Sequence, residues 1–200
     1  MLDVYLLRHG ETPWNADGNR YCGRTDLPLT AKGIGQAQTV HEQLKHHAFD
    51  DVYSSPLQRA RHTAEIVSGR AAVRNDTRLI EAGFGAWEGK TRDQFIAEAP
   101  ELWEAWNRDP SRVRAGGTGD TALEVVMRTE AFFSDLLRQH PGGTVLVVAH
   151  NTVNRLYLCH KLGMPLRNYR MLVQDNSTIT RFRLDDEGVL TLNLLNGFLV

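Results

Sequence analysis

A chain of 200 residues with 42% apolar and 24% charged side chains can bury one substantial core, which predicts a single domain over 1–200. Its net charge of −1 offers no general attraction to nucleic acid or an anionic membrane, so any anion site has to be a local arginine cluster. Two cysteines without CxxC spacing, no basic leader and no apolar run near the ~18 residues of a membrane span predict reduced thiols and a cytoplasmic protein.

In chain order, "DVYLLR" (Asp3 to Arg8) predicts a first strand and Thr30 to about His47 a helix capped by Thr30. "DVYSS" (Asp51 to Ser55), a helix from Pro56 to about Gly69 and "AAVR" (Ala71 to Arg74) continue the alternation. The glycine-rich "DPSRVRAGGTGD" (Asp109 to Asp120) reads as a surface loop. A long helix from about Asp120 to Gln139, a strand "TVLVVAH" (Thr144 to His150) and a helix from Thr152 to about Gly163 follow, the last stopped by "LGMP". "TITRFRL" (Thr178 to Leu184) and "VLTLNLL" (Val189 to Leu195) alternate around "DDEG", a hairpin signal. Short apolar strands followed by helices predict parallel βα units, to which the hairpin adds antiparallel strands. The expected fold is a three-layer α/β/α sandwich with a mixed, mostly parallel central sheet. The segment ending in "LNGFLV" is expected to be an edge strand that could pair with a partner.

Ligands of such sheets bind at the carboxyl ends of the strands. Arg8 and His9 fall at one end and His150 at another, whereas His41, His46, His47, His62, His140 and His160 sit in helical or loop contexts that suggest no role. Arg59 and Arg61 follow the second strand near a helix N-terminus, and Arg59 comes earlier in that helix. Beside Arg8, these guanidiniums supply the planar donors that suit phosphate oxygens.

Five ordered blocks, "LLRHGETPWN", "LPLTAKGIGQAQ", "VYSSPLQRARHTA", "LIEAGFGAWEGKT" and "VLVVAH", resemble the histidine phosphatase superfamily, the phosphoglycerate-mutase-like proteins, from Leu2 to about Pro165. The last 35 residues contribute only the general sheet pattern. The resemblance implies that His9 is a nucleophile that becomes phosphorylated, with Arg8, Arg59 and His150 completing a phosphate pocket and Asn15 touching the phosphate. Glu81 takes the place of the general acid and base. Glu11 and Glu88 are the fallback carboxylates, and Glu11 is expected to brace the loop that holds His9. The chemistry agrees with that division. Fixed cations stabilise the charge spread over a phosphoryl group in flight, and a partly desolvated carboxyl can protonate the leaving alkoxide and then activate water. Gly10 is expected to let backbone crowd the histidine ring.

Two departures from the family pattern stand out: Asn151 replaces the glycine after the second histidine, and "GGTGD" (Gly116 to Asp120) replaces a Gly-Glu-Ser sequence. Asparagine tolerates unusual backbone angles and adds an amide near the phosphate, so Asn151 joins the substrate-binding candidates. The short interval between Glu81 and His150 favours a phosphatase without metal or other cofactor. The alternatives are a phosphoglycerate mutase using Arg108, Arg112 and Arg114, and a non-catalytic phosphate-binding scaffold. The expected substrate is a small phosphorylated metabolite: a sugar phosphate, a phosphoglycerate derivative or a nucleoside-type monophosphate such as α-ribazole phosphate. Trp87, Trp103 and Trp106 are expected near the leaving group and Trp14 at the entrance.

Overall fold

The computed structural model describes residues 1–199; Val200, the end of the predicted edge segment, lies outside the described residues. Its strands are β1 (Leu2–Arg8), β2 (Asp51–Ser54), β3 (Arg74–Asn75), β4 (Thr144–Ala149), β5 (Ile179–Leu184) and β6 (Leu190–Gly197), in the order β3-β2-β4-β1-β5-β6. The first four run parallel, while β5 pairs antiparallel with β1 and β6 with β5. The helices are α1 (Pro13–Ala16), α2 (Ala31–Leu44), α3 (Gln58–Ser68), α4 (Arg92–Glu98), α5 (Pro100–Arg108), α6 (Ala122–Gln139) and α7 (Asn151–Lys161).

Alternation along the two central strands divides the core into two layers. Val4 and Leu6 of β1, with Val145 and Val147 of β4, pack on Phe132 and Phe133 of α6 and Leu156 of α7. Tyr5 and Leu7, with Leu146 and Val148, face Ala37 and Val40 of α2 and Ala60 and Ala64 of α3. The predicted three-layer sandwich with a mixed, mostly parallel sheet is therefore the observed one, and β6 forms an edge. Among the described residues no helix is long and apolar enough to cross a membrane.

Local details differ. The third strand spans only Arg74–Asn75 rather than beginning at Ala71, because two rungs, Tyr53 with Arg74 and Ser54 with Asn75, make the whole pairing. The predicted strand over Thr144 to His150 stops at Ala149, because His150 caps the following helix. The short helices α1, α4 and α5 were not predicted. A Thr91 capping box starts α4 and a proline at its first position starts α5, and both are too short for a helical period to show.

The loop after β1 lies directly on the first turn of α2. A Cβ on Gly10 would come 2.5 Å from the Gly33 carbonyl oxygen, and one on Gly33 would come 2.2 Å from that of Glu11. Gly10 therefore answers to α2, and the expected crowding of the histidine ring is not the constraint. Glu11 braces the contact: its carbonyl accepts from Thr30 N–H at 2.9 Å and its carboxylate from Thr30 Oγ1 at 3.0 Å and Lys32 Nζ at 2.8 Å.

Gly33→Ala, which drives a methyl group into backbone, is expected to lower unfolding free energy by about 1–3 kcal/mol. Gly35→Ala, in the same helix with nothing within 4 Å of its new methyl, is expected to raise it by about 0.5–1 kcal/mol. Urea midpoints of the two variants check both signs.

Candidate active site

The β1–β4 ladder delivers two imidazoles side by side. His9 N–H donates to the Ala149 carbonyl at 3.1 Å, and the His9 and His150 rings meet edge to face with centroids 5.2 Å apart. His9 Nδ1–H donates to the Gly10 carbonyl at 2.7 Å; because a carbonyl only accepts, this contact fixes the proton on Nδ1 and the lone pair on Nε2. His150, the N-cap of α7, is fully buried with Nε2 2.7 Å from Ser55 Oγ and Nδ1 without a partner among the described residues.

Two arginines are buried against these rings. Arg8 Nη1 donates to the Gln174 carbonyl at 2.9 Å. Arg59, with no exposed surface, donates to the carbonyls of Thr25 at 2.8 Å and Gly23 at 2.9 Å. The Nε of each guanidinium is buried without a partner among the described residues. Glu88 holds the loop that supplies those carbonyls, accepting from Gly23 N–H at 3.0 Å and Thr25 N–H at 3.1 Å. Its role is to position Arg59.

Glu81 is buried where the first turn of α7 points at it. Its carboxylate accepts from the N–H groups of Ala82 at 2.9 Å, Thr152 at 3.1 Å and Val153 at 3.2 Å. Burial raises its pKa above the ordinary carboxylate range, against the pull of those hydrogen bonds and of Arg59. The opposite shift holds both histidines well below their ordinary range. Burial is the main cause, followed for His9 by Arg59 and Arg8, and for His150 by Arg59 and His9. The two rings are thus neutral at pH 7, while Arg8, lowered by burial to about 10, stays cationic.

A cleft of about 500 Å³ opens onto this cluster, and Arg8, His9, Asn15, Glu81 and Asn151 line it. Arg59 and His150 lie buried behind that lining. Asn15, inside α1, completes the capping box with the N-cap Thr12, its Oδ1 accepting from Thr12 N–H at 3.1 Å, and Asn151 Oδ1 accepts from Arg155 Nη1 at 3.2 Å. Arg61 points to solvent and pairs loosely with Glu65. The tryptophan expectation fails. Trp87 and Trp106 are 1% exposed in the core and Trp87 stacks on Phe95 at 4.7 Å, since the short α4–α5 pair needs an aromatic core of its own. Trp103 packs in the same cluster, and Trp14 lies over Gly89 outside the cleft lining. Arg108, Arg112 and Arg114 do not line the cleft either; Arg114 is bound to Glu124 at 2.8 Å.

Several site neighbours went unread in the sequence. Ser55 sat at a predicted strand end in "SSP", a position that itself signalled the sheet's binding edge. The last 35 residues, from which no motif was taken, supply the Gln174 carbonyl for Arg8 and the Asn176 amide, which donates to the His9 carbonyl at 2.9 Å. No local pattern marks these two.

Buried cations held by neutral groups around a neutral imidazole at the carboxyl edge of a parallel sheet form a site suited to a phosphate group. The family model of the histidine phosphatase superfamily (branch 1) matches residues 4–196, and the chain belongs to that family. It is similar to phosphoserine phosphatase 1 of Hydrogenobacter thermophilus, 31% identical over 97% of this chain and 92% of that one. It is also similar to the adenosylcobalamin/alpha-ribazole phosphatase of Salmonella typhimurium, 36% identical over 98% of this chain and 96% of that one. Among solved structures, a phosphoserine phosphatase from Entamoeba histolytica in complex with 3-phosphoglyceric acid superposes with a TM-score of 0.89. It is 30% identical and the match covers 98% of both chains. The chain is accordingly a phosphoric monoester hydrolase.

Histidines that stay neutral when folded but protonate when unfolded make stability depend on pH. Below the unfolded value of about 6.5 the unfolded chain binds protons that His9 and His150 refuse, so their contribution to stability falls as pH falls, partly opposed by Glu81, whose raised pKa makes the folded chain the better proton binder. The expected slope is up to about 1.4 kcal/mol per pH unit for each ring, measured by urea unfolding between pH 7 and 5.5. His9→Gln is expected to make that slope shallower.

Proposed function

We propose that the whole chain acts as one catalytic domain, a metal-independent phosphatase working through a phosphohistidine on His9. One observation carries the reading: Arg8 Nε, Arg59 Nε and His150 Nδ1 are buried without a partner among the described residues, and all three belong to side chains gathered around His9. Unmet donors of this kind suit the oxygens of a tetrahedral dianion. In this reading Ser55 Oγ, which accepts from Leu57 N–H at 3.4 Å, donates its own proton to His150 Nε2 at 2.7 Å, and the His150 proton sits on Nδ1, the unpartnered atom.

The residues divide the reaction as follows. His9 Nε2 attacks phosphorus while the ester P–O bond breaks, and the Nδ1–H bond to the Gly10 carbonyl steadies the ring as it gains positive charge. The leaving oxygen takes the proton that the raised pKa keeps available on Glu81. Glu81, now a carboxylate, draws a proton from water, whose oxygen attacks phosphorus as the N–P bond breaks. Phosphate leaves, and His9 and Glu81 return to their starting protonation. Asn15 and Asn151 contribute amides at the cleft, and the relatives' names support a small phosphorylated metabolite as substrate. Hydrolysis is favoured over mutase chemistry because Arg108, Arg112 and Arg114, the arginines the mutase reading relies on, do not line the cleft. A cytoplasmic location belongs to the same reading, supported by Cys22 and Cys159 both being free thiols.

Phosphate release from small monoesters is expected to persist in excess chelator. His9→Ala is expected to reduce it on the order of 10⁴-fold or more and Glu81→Gln about 10²–10⁴-fold, with both variants folded by circular dichroism. Full activity in folded His9→Ala would overturn the reading.

A further inference from the structure

The far wall of the cleft carries a second pair of guanidiniums. Arg155 lies on α7 one turn beyond Asn151, donating from Nη1 to the Asn151 amide oxygen at 3.2 Å and from Nε to the Tyr169 carbonyl at 3.2 Å. Arg170 donates from Nη1 to Asn107 Oδ1 at 2.8 Å, while its Nη2 is buried with no partner among the described residues. The Tyr169 ring supports both, with the Arg155 and Arg170 Cζ atoms 5.2 and 4.6 Å from its centroid. Arg170 also lies 4.3 Å over Trp103.

Every one of these supports is neutral. Among the described residues neither arginine forms an ion pair, whereas Arg20, Arg24, Arg78 and Arg114 each hold a carboxylate at 2.6 to 2.8 Å. Two like charges are therefore fixed near one aromatic ring on a wall that opens to the cleft, and among the described residues neither is held by a carboxylate. Arg8 and Arg59 are likewise held by neutral groups, the carbonyls of Gln174, Thr25 and Gly23. Asn151 links Arg155 to the histidine pair, because its side-chain oxygen accepts from Arg155 while its backbone follows His150.

We propose that Arg155 and Arg170 form a second anion subsite, so that the preferred substrate carries a carboxylate or a second phosphate in addition to the phosphate that is transferred. This rests on the phosphatase reading and narrows it. Uncharged tails leave the wall unmatched and are held more weakly.

The test compares phosphate release from 3-phosphoglycerate, its methyl ester, glycerol 1,3-bisphosphate and glycerol 3-phosphate. The wild type is expected to show at least about tenfold higher kcat/KM for an anionic tail than for its neutral counterpart, mainly through KM. Whether 3-phosphoglycerate or the bisphosphate leads identifies the anion. Arg155→Gln and Arg170→Gln are each expected to bring that ratio towards one, and Arg170→Lys, which keeps the charge, to retain part of it. Equal turnover of anionic and neutral tails by the wild type would overturn the subsite and leave the phosphatase standing, as would variants that slow both kinds of substrate alike. Failure to release phosphate from any of the four or from phenyl phosphate would overturn the phosphatase reading and this inference with it.

Discussion

The hydrogen bond from His9 N–H to the Ala149 carbonyl extends the parallel ladder one rung beyond the end of β1, and the site is built outward from it. Because β1 and β4 keep register from Asp3 with Thr144 to Arg8 with Ala149, the residues that follow the two strands emerge at the same height. His9 and His150 become neighbours by backbone geometry before any side-chain preference acts. The apolar alternation of both strands locks that register, since a slip of one residue would turn Leu7 and Val148 towards the opposite layer. Gly10 and Gly33 then let the chain after His9 settle on α2, which leaves the imidazole little room to drift.

The charges around that pair are held by groups that do not neutralise them. Burying a guanidinium costs several kcal/mol unless it is well hydrogen-bonded. Arg59 meets that cost with the carbonyls of Gly23 and Thr25, and Arg8 with that of Gln174, so the positive charge remains for an incoming anion. Glu81 is treated in the converse way. Backbone N–H groups at the start of α7 stabilise its charged form and burial favours its neutral form, with burial the stronger of the two. A carboxyl poised in this way suits alternation between acid and base. In the same cleft, Arg155 and Arg170 repeat the pattern with an aromatic ring and amides as supports.

What was legible in the sequence follows from how local each signal is. Strand alternation, the Thr30 cap and the "LGMP" stop are written within a few residues, and the predicted layers and sheet composition follow from them. The placement of Arg8, His9 and His150 at strand ends was legible for the same reason. Asn176 and Gln174 were not, because their contacts to residues 8 and 9 cross more than 160 positions and depend on β5 pairing with β1. The tryptophans misled because aromatic residues at helical spacing read alike whether they wall a cleft or fill a core. Only the α4–α5 packing against Trp87 separates the two cases.

One neutral imidazole, cations that protein anions do not satisfy and a carboxyl of raised pKa together describe a phosphoryl relay, and its intermediate is the most direct thing to observe. The protein would be mixed with a phosphate-labelled monoester, quenched in alkali within the first turnover, digested, and the label mapped by mass spectrometry. The account predicts acid-labile, alkali-stable phosphate on His9, at higher occupancy in Glu81→Gln, where water is no longer activated. Rapid turnover with no label on His9 at any quench time, in the wild type or in that variant, would contradict it.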